Sequence, residues 1–238
     1  QKAASRWEAA VEAGDMTAAK KLGPQTAEYT PEMVAETKRL FELLGVTWVE
    51  APMEAEGAAA VRCARGEVGA VASQDWDTLL YGAPVMVRNL TSHGTRRFGR
   101  VLQAERVVLA DTLAKHDITH EQLVDLGIMI GTDFHPGIRG IGPKTGLKLI
   151  REHGTLEAVA KAKEFELPER LDEIRSLFLE HPTTDDALPH STHAVEEDLR
   201  AFLQDERGFS ERRVQRALDR LASVARLRSS SQPTLFDF

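Results

Sequence analysis

The alternation of apolar and polar positions changes character several times along the chain, and each change predicts an element. Residues 1–22 are rich in Ala, Glu and Lys with little apolar face, and Gly14-Asp15 interrupts them. That pattern predicts two short, exposed polar helices. Met33, Val34, Thr37, Leu40, Phe41 and Leu44 then recur at helical spacing. Thr30 before Pro31 offers an N-cap and a pre-set first position, and Gly45 a stop, so a helix is expected over 31–44. Val46–Val49 reads as a short strand. Pro52 keeps Ala51 out of the helical region, which places the start of the next, Ala-rich helix near Met53. It lasts to Ala64, with Gly66 just beyond. Val68–Ser73 is small, apolar and β-branched, the composition of a buried strand. A short helix and a strand over Pro84–Leu90 come next, and then the polar turn TSHGTRR at 91–97. Phe98–Leu102 is expected to pair back as a hairpin.

Beyond this point the pattern is helical: 104–115, 121–130 capped by Thr119, 147–152, 155–163, 168–180, 195–205 and 210–226. Residues 182–193 form an irregular connector. Strands alternating with helices, followed by helices alone, predict an α/β fold. Its centre is a mostly parallel sheet flanked by helices, with a helical region after it.

Candidate chemistry concentrates at the strand ends. Glu54 with Glu56, and Asp75 with Asp77, are two acid-x-acid pairs, each placed just after a predicted strand. The carboxyl edge of a parallel sheet is where ligands bind. Four carboxylates on one rim repel one another unless a cation neutralises them. Oxygen ligands without His or Cys favour Mg²⁺ or Mn²⁺ over zinc. Acids in a helix's first turn also complement its dipole, so either pair alone reads first as a cap. Asp133, after the apolar helix ending near Ile130, is a candidate fifth acid or a turn residue.

Gly137-Ile138-Arg139-Gly140-Ile141-Gly142-Pro143-Lys144-Thr145-Gly146, followed by a helix, is a helix-hairpin-helix signature. Its glycines let backbone amides approach a phosphate, the next helix's N-terminus points at it, and Lys144 adds charge. The alternative is a Gly-rich tight turn without a ligand. Such contacts hold a nucleic-acid backbone without reading its sequence. The closing Gln232-Pro-Thr-Leu235-Phe236-Asp-Phe238 puts large apolar side chains on a polar tail, the make-up of a docking peptide.

Composition trims the options. The chain has 238 residues and a hydrophobic content of 42%, enough for a real core. No apolar run approaches the ~18 residues of a membrane span. The single cysteine, Cys63, excludes an internal disulfide. The net charge of −7 weighs against nucleic-acid binding by bulk electrostatics. The first residue is Gln, inside a predicted helix, which reads as a piece of a longer polypeptide.

Together these stretches resemble the flap structure-specific endonucleases of archaea and eukaryotes, in the XPG/Rad2 nuclease superfamily. The carriers are A-P-M-E-A-E-G at 51–57, S-Q-D-W-D at 73–77, G-T-D-F at 131–134 and G-I-R-G-I-G-P-K at 137–144, in the family's order and spacing. The match begins near Tyr29. It implies a PIN/5′-nuclease-like sheet domain over 29–133, and a helix-hairpin-helix and helical region over 134–226. Residues 1–28 would be the distal part of a helical arch, and 227–238 a sliding-clamp (PCNA) binding tail with Gln232, Leu235, Phe236 and Phe238 as its anchors. It implies that Glu54, Glu56, Asp75, Asp77 and Asp133 are metal-site carboxylates for two Mg²⁺ ions, Mn²⁺ substituting. It implies that Gly137, Ile138, Gly140, Ile141, Gly142, Lys144 and Thr145 bind DNA, with a potassium ion held by carbonyls there. The implied reaction is hydrolysis at the base of a 5′ flap in branched DNA during replication and repair. The implied location is the cytoplasm and nucleoid in an archaeon, or the nucleus in a eukaryote. The family's N-terminal region, with two further aspartates and the first strand, has no counterpart in the sequence, so a separate N-terminal fragment is an expected partner. The alternatives are a related junction nuclease or 5′ exonuclease, and a non-catalytic, clamp-tethered DNA-binding module.

Overall fold

In a computed structural model, which describes residues 2–22, 30–97, 99–189 and 194–229, the chain begins with helices α1 (Lys2–Glu12), α2 (Met16–Leu22), α3 (Pro31–Leu43) and α4 (Ala55–Ala64). Then come β1 (Val71–Ala72), α5 (Asp77–Leu80), β2 (Val85–Arg88), β3 (Arg96–Arg97), β4 (Arg100–Val101) and β5 (Glu105–Val108). The remainder is helical: α6 (Leu109–His116), α7 (His120–Ile130), α8 (Pro143–His153), α9 (Leu156–Lys163), α10 (Leu171–Leu179), α11 (Glu196–Arg200), a π-helical turn (Ala201–Glu206) and α12 (Glu211–Ser229). Two compact units result. One joins the described residues up to Trp48 with those between Pro189 and Ser229; the other is Val49–Leu188. The second unit therefore holds the sheet and the helix-hairpin-helix stretch together.

In the first unit the predicted helix signals operate as expected. Asp15 Oδ1 accepts from the amides of Thr17 and Ala18, starting α2. Thr30 caps α3 by accepting from Met33 N at 3.3 Å. Leu40, Leu43 and Leu44 pack against buried Leu199, Val214 and Leu218 of α11 and α12. Met33 and Val34, placed on the apolar face by periodicity, stay exposed. Arg39 forms a fork on Glu206, both bonds 2.7 Å, and stacks on Phe202. Val46–Val49 is not a strand: it is extended, Val46 and Val49 are exposed, and no described strand pairs with it. Without a ladder partner, β-branched composition alone does not make a strand.

In the second unit β1, β2 and β5 form one sheet in that order. β1 and β2 are parallel, Val71 opposite Met86 and Ala72 opposite Val87. β2 and β5 are antiparallel, Arg88 facing Glu105 and Val85 facing Val108. The sheet is thus α/β and helix-flanked as expected, and mixed. The parallel step needs a crossover, supplied by the segment containing α5; the antiparallel step follows the small β3–β4 hairpin. Its strands β3 and β4 pair with each other rather than with β2, and β5 takes the place beside β2 expected for 98–102. The helix expected from Ala104 begins only at Leu109. The run Val107-Val108-Leu109 has no period that separates strand from helix, and β2's free edge decides it.

Thr119 and Gln122 form a full capping box at the head of α7. Val124, Ile128 and Met129 of α7 meet Ile150, Leu156, Val159 and Phe178 in one core, with Cys63 packed in it. Gly127 faces Leu80, where a Cβ would lie 2.7 Å from Cδ1. α7 therefore seats directly on α5, which opens with Asp77.

Candidate metal centre

The acidic loop begins where β1 stops. Ser73 N still donates to Val87 O at 3.2 Å, as an extension of the ladder. Its hydroxyl then turns to the Glu56 carboxylate, to which it donates. Asp75 N donates to Ser73 Oγ at 3.0 Å, and Asp77 N donates to Asp75 Oδ1 at 3.0 Å. Asp75 thus shapes the loop that starts α5, and Asp77 lies in that helix's first turn. Thr78 Oγ1, fully buried, is 3.5 Å from the second Glu56 oxygen. The pair on α4 is linked to the pair on β1 and α5 through these two hydroxyls.

Glu54 occupies the N-cap position of α4 but makes no side-chain cap bond. Its carboxylate is exposed. Its carbonyl accepts the first helical bond from Ala58 N at 3.1 Å and lies 3.1 Å from His181 Nε2. His181 is buried, sets Nδ1 3.0 Å from Leu177 O and meets Tyr81 edge-on at 4.8 Å. Gly57 makes room for it: a Cβ there would lie 2.5 Å from the ring. His181 therefore braces the start of the acidic helix. A glycine inside an Ala-rich helix was the available signal for that close approach.

The acids act on one another. Burial, then Asp75, Asp133 and Glu56, push Asp77 up to about 6, against a usual value of 3.8. Tyr81 behind them is raised by burial and then by Glu54, Asp77, Glu56 and Asp133. All five predicted carboxylates thus share one field, Asp133 arriving from the turn after α7. Among the described residues no three of them stand close enough to ligate one ion.

The strain on Asp77 has a measurable consequence. An acid whose folded value is raised binds a proton more tightly in the native state. Stability is therefore full at pH 4 and falls as pH rises through about 6. Asp77 is only half buried, so the discounted cost is on the order of 1 kcal/mol. Asp77→Asn is expected to raise the metal-free melting temperature by roughly 2–4 °C at pH 7.5 and to leave it unchanged at pH 4. Thermal unfolding at the two pH values checks this.

The predicted hairpin lies between α7 and α8. Gly137, at φ 84°, passes so close to the end of α7 that a Cβ would lie 2.4 Å from Ile130 O. Ile138 N donates to Met129 O at 2.8 Å, and the Ile138 and Ile141 side chains pack on the core, leaving only their backbone for a ligand. Gly140, at φ 86°, and Gly142 have open space around them. Gly142 caps α8, Pro143 opens it, and Lys144 and Thr145 are exposed beside the first-turn amides. Gly146 is set by packing, its Cα facing Leu126. Gln232, Leu235, Phe236 and Phe238 lie outside the described residues.

Comparison with known proteins adds a context. The XPG I-region family model matches residues 45–133, which include all five acids. Flap endonuclease 1 of Ignicoccus hospitalis is 38% identical over 242 residues, covering 100% of this chain and 69% of that protein. That of Haloarcula marismortui is 42% identical over 222 residues, covering 93% and 65%. The solved flap endonuclease-1 from Methanococcus jannaschii superposes with a TM-score of 0.72 at 35% identity, over 91% of this chain and 65% of that one. The catalytic core of Rad2 in complex with a DNA substrate shares the fold, with a TM-score of 0.71 at 19% identity. The chain spans about two thirds of the length of these relatives.

Proposed function

Because this chain belongs to the flap endonuclease 1 family of nucleases, we propose that it cuts branched DNA at the base of a 5′ flap, in replication and repair. The observation that carries the reading is the acidic loop at the end of β1, where Ser73 and Thr78 tie the Glu56 carboxylate to the Asp75–Asp77 turn. An all-oxygen set whose members repel one another suits divalent cations. Glu54, Glu56, Asp75, Asp77 and Asp133 would hold them. Two Mg²⁺ ions, or Mn²⁺ in their place, supply when bound a polarised scissile phosphate and a hydroxide nucleophile at neutral pH.

The chain's own groups do the rest. Ser73 and Thr78 fix the Glu56 carboxylate, and Asp75 fixes the turn into α5. The exposed edge of the hairpin, Gly140 to Thr145, grips a duplex backbone through amides and Lys144, and carbonyls near Gly137, Ile138 and Ile141 would hold a potassium ion. The 232–238 tail docks on a sliding clamp (PCNA). The location that goes with this role is the cytoplasm and nucleoid in an archaeon, or the nucleus in a eukaryote.

The absence of a three-acid cluster among the described residues favours a second reading. There the chain is a clamp-tethered DNA-binding module. The two readings separate on a labelled 5′-flap duplex with Mg²⁺ and with EDTA. Incision at the flap base that EDTA abolishes supports the nuclease. Binding with no incision under either condition, even after an N-terminal fragment of the family is added, supports the module.

A further inference from the structure

Arg88 closes β2 beside the acidic loop and touches it on both sides of Asp75. Its place is set by the sheet: Val87 is paired with Ala72, and Arg88 itself faces Glu105. The side chain leaves the ladder at the rim where Ser73 begins. Nη2 donates to the Gln74 carbonyl at 3.3 Å. The guanidinium lies over the Trp76 ring, 3.9 Å from its centroid. Glu105 stands 4.0 Å from Nη1, too far for a hydrogen bond. Nε is buried with no partner among the described residues, a cost that the other contacts must offset. An arginine at a strand end ordinarily turns to a carboxylate or to water. This one gives its Nη2 donor and its flat face to the two residues that flank Asp75.

Trp76 accepts a backbone bond from Leu79 N at 3.0 Å through its carbonyl. It sits between Asp75 and Asp77 and is 50% exposed. Its ring stacks on Arg88, beside the Asp75 bonds to Ser73 and Asp77 that shape the loop between the two acids. We infer that Arg88 is a positioning residue for the metal centre: by gripping the Gln74 carbonyl and the Trp76 ring it aims the Asp75 and Asp77 carboxylates into the site. The inference rests on the reading of that site as a metal centre. Making both contacts at once calls for a flat, forked cation, which lysine, a compact point charge, does not supply.

Two measurements on the full chain test this: Mn²⁺ binding, followed by the electron paramagnetic resonance of the free ion, and Mg²⁺-titrated flap incision. Arg88→Met and Arg88→Lys are both expected to weaken Mn²⁺ binding by about 10–100-fold, the scale for residues that orient ligands. The half-saturating Mg²⁺ rises by a similar factor, while the rate at saturating Mg²⁺ changes by less than about threefold. Trp76→Ala reproduces the loss, Trp76→Phe restores most of the affinity, and Arg88→Met/Trp76→Ala is no worse than the weaker single variant. Melting temperatures within a few degrees of the parent show that each variant is folded. Wild-type Mn²⁺ affinity in folded Arg88→Met overturns the positioning role alone. Multiplying losses in the double variant also overturn it. A parent chain that binds no Mn²⁺ overturns the metal-centre reading, and the inference with it.

Discussion

Asp75→Asn is expected to slow flap incision by about 10²–10³-fold, the cost of losing one preorganised charged group at a reacting centre. The substitution is chosen because it spares the fold. Asp75 Oδ1 accepts from Asp77 N, and its own amide donates to Ser73 Oγ. Asparagine keeps an oxygen at Oδ1 and an amide on the backbone, so both bonds persist. What disappears is one negative charge from a site that already pushes Asp77 upward. Affinity for the flap duplex, measured in Ca²⁺ or EDTA, is expected to stay the same or rise slightly, because less negative charge faces the phosphates. Loss of binding together with incision would count against a purely catalytic role. Unchanged incision would remove Asp75 from the site.

The acids were legible because their chemistry is written in adjacent positions. Acid-x-acid after a strand is a local pattern, and so are Thr30-Pro31 and Thr119, whose caps depend on residues three positions apart. The elements that misread share a different cause. β5 was taken for the start of a helix because Val107-Val108-Leu109 suits both states, and only the edge of β2 chooses between them. Val46–Val49 has strand composition and no strand beside it. The supports of the site were the least legible. Arg88 reaches Gln74 across the sheet, and His181 reaches Glu54 from a segment far along the chain. Neither contact leaves a period or a motif. The one trace was Gly57, whose missing Cβ makes space for the His181 ring. The hairpin glycines were legible as a group but not in their separate duties. Gly137 and Gly146 serve internal packing, while Gly140 and Gly142 face open space.

Arg175→Met is expected to destabilise the Val49–Leu188 unit by about 3–5 kcal/mol, which a shift of the urea midpoint at pH 7 measures. Arg175, on α10, forks onto Asp125 of α7, with bonds of 2.7 and 2.9 Å. It bonds Glu157 of α9 at 2.5 and 2.9 Å as well. Asp125 is 4% exposed, and its Oδ2 also accepts from Leu156 N at 2.9 Å. Methionine fills the space of the side chain but leaves a buried carboxylate with one amide as its partner. The penalty comes from that stranded charge rather than from the worth of the pair. Two further variants separate the causes. Glu157→Gln removes the exposed arm of the network and is expected to cost no more than about 1 kcal/mol. Its acid also titrates: Arg175 holds it down at about 2, so its contribution is present above the usual carboxylate range and is lost as pH falls toward 2. Asp125→Asn combined with Arg175→Met neutralises the stranded charge and is expected to recover part of the loss. A double-variant loss as large as the sum of the two single losses would overturn the stranded-charge account. Because α7 leads directly to Asp133 and the hairpin, the same loss is expected to loosen the end of the helix that delivers the fifth acid. A loss of that size is a large part of the total of about 5–15 kcal/mol for a domain.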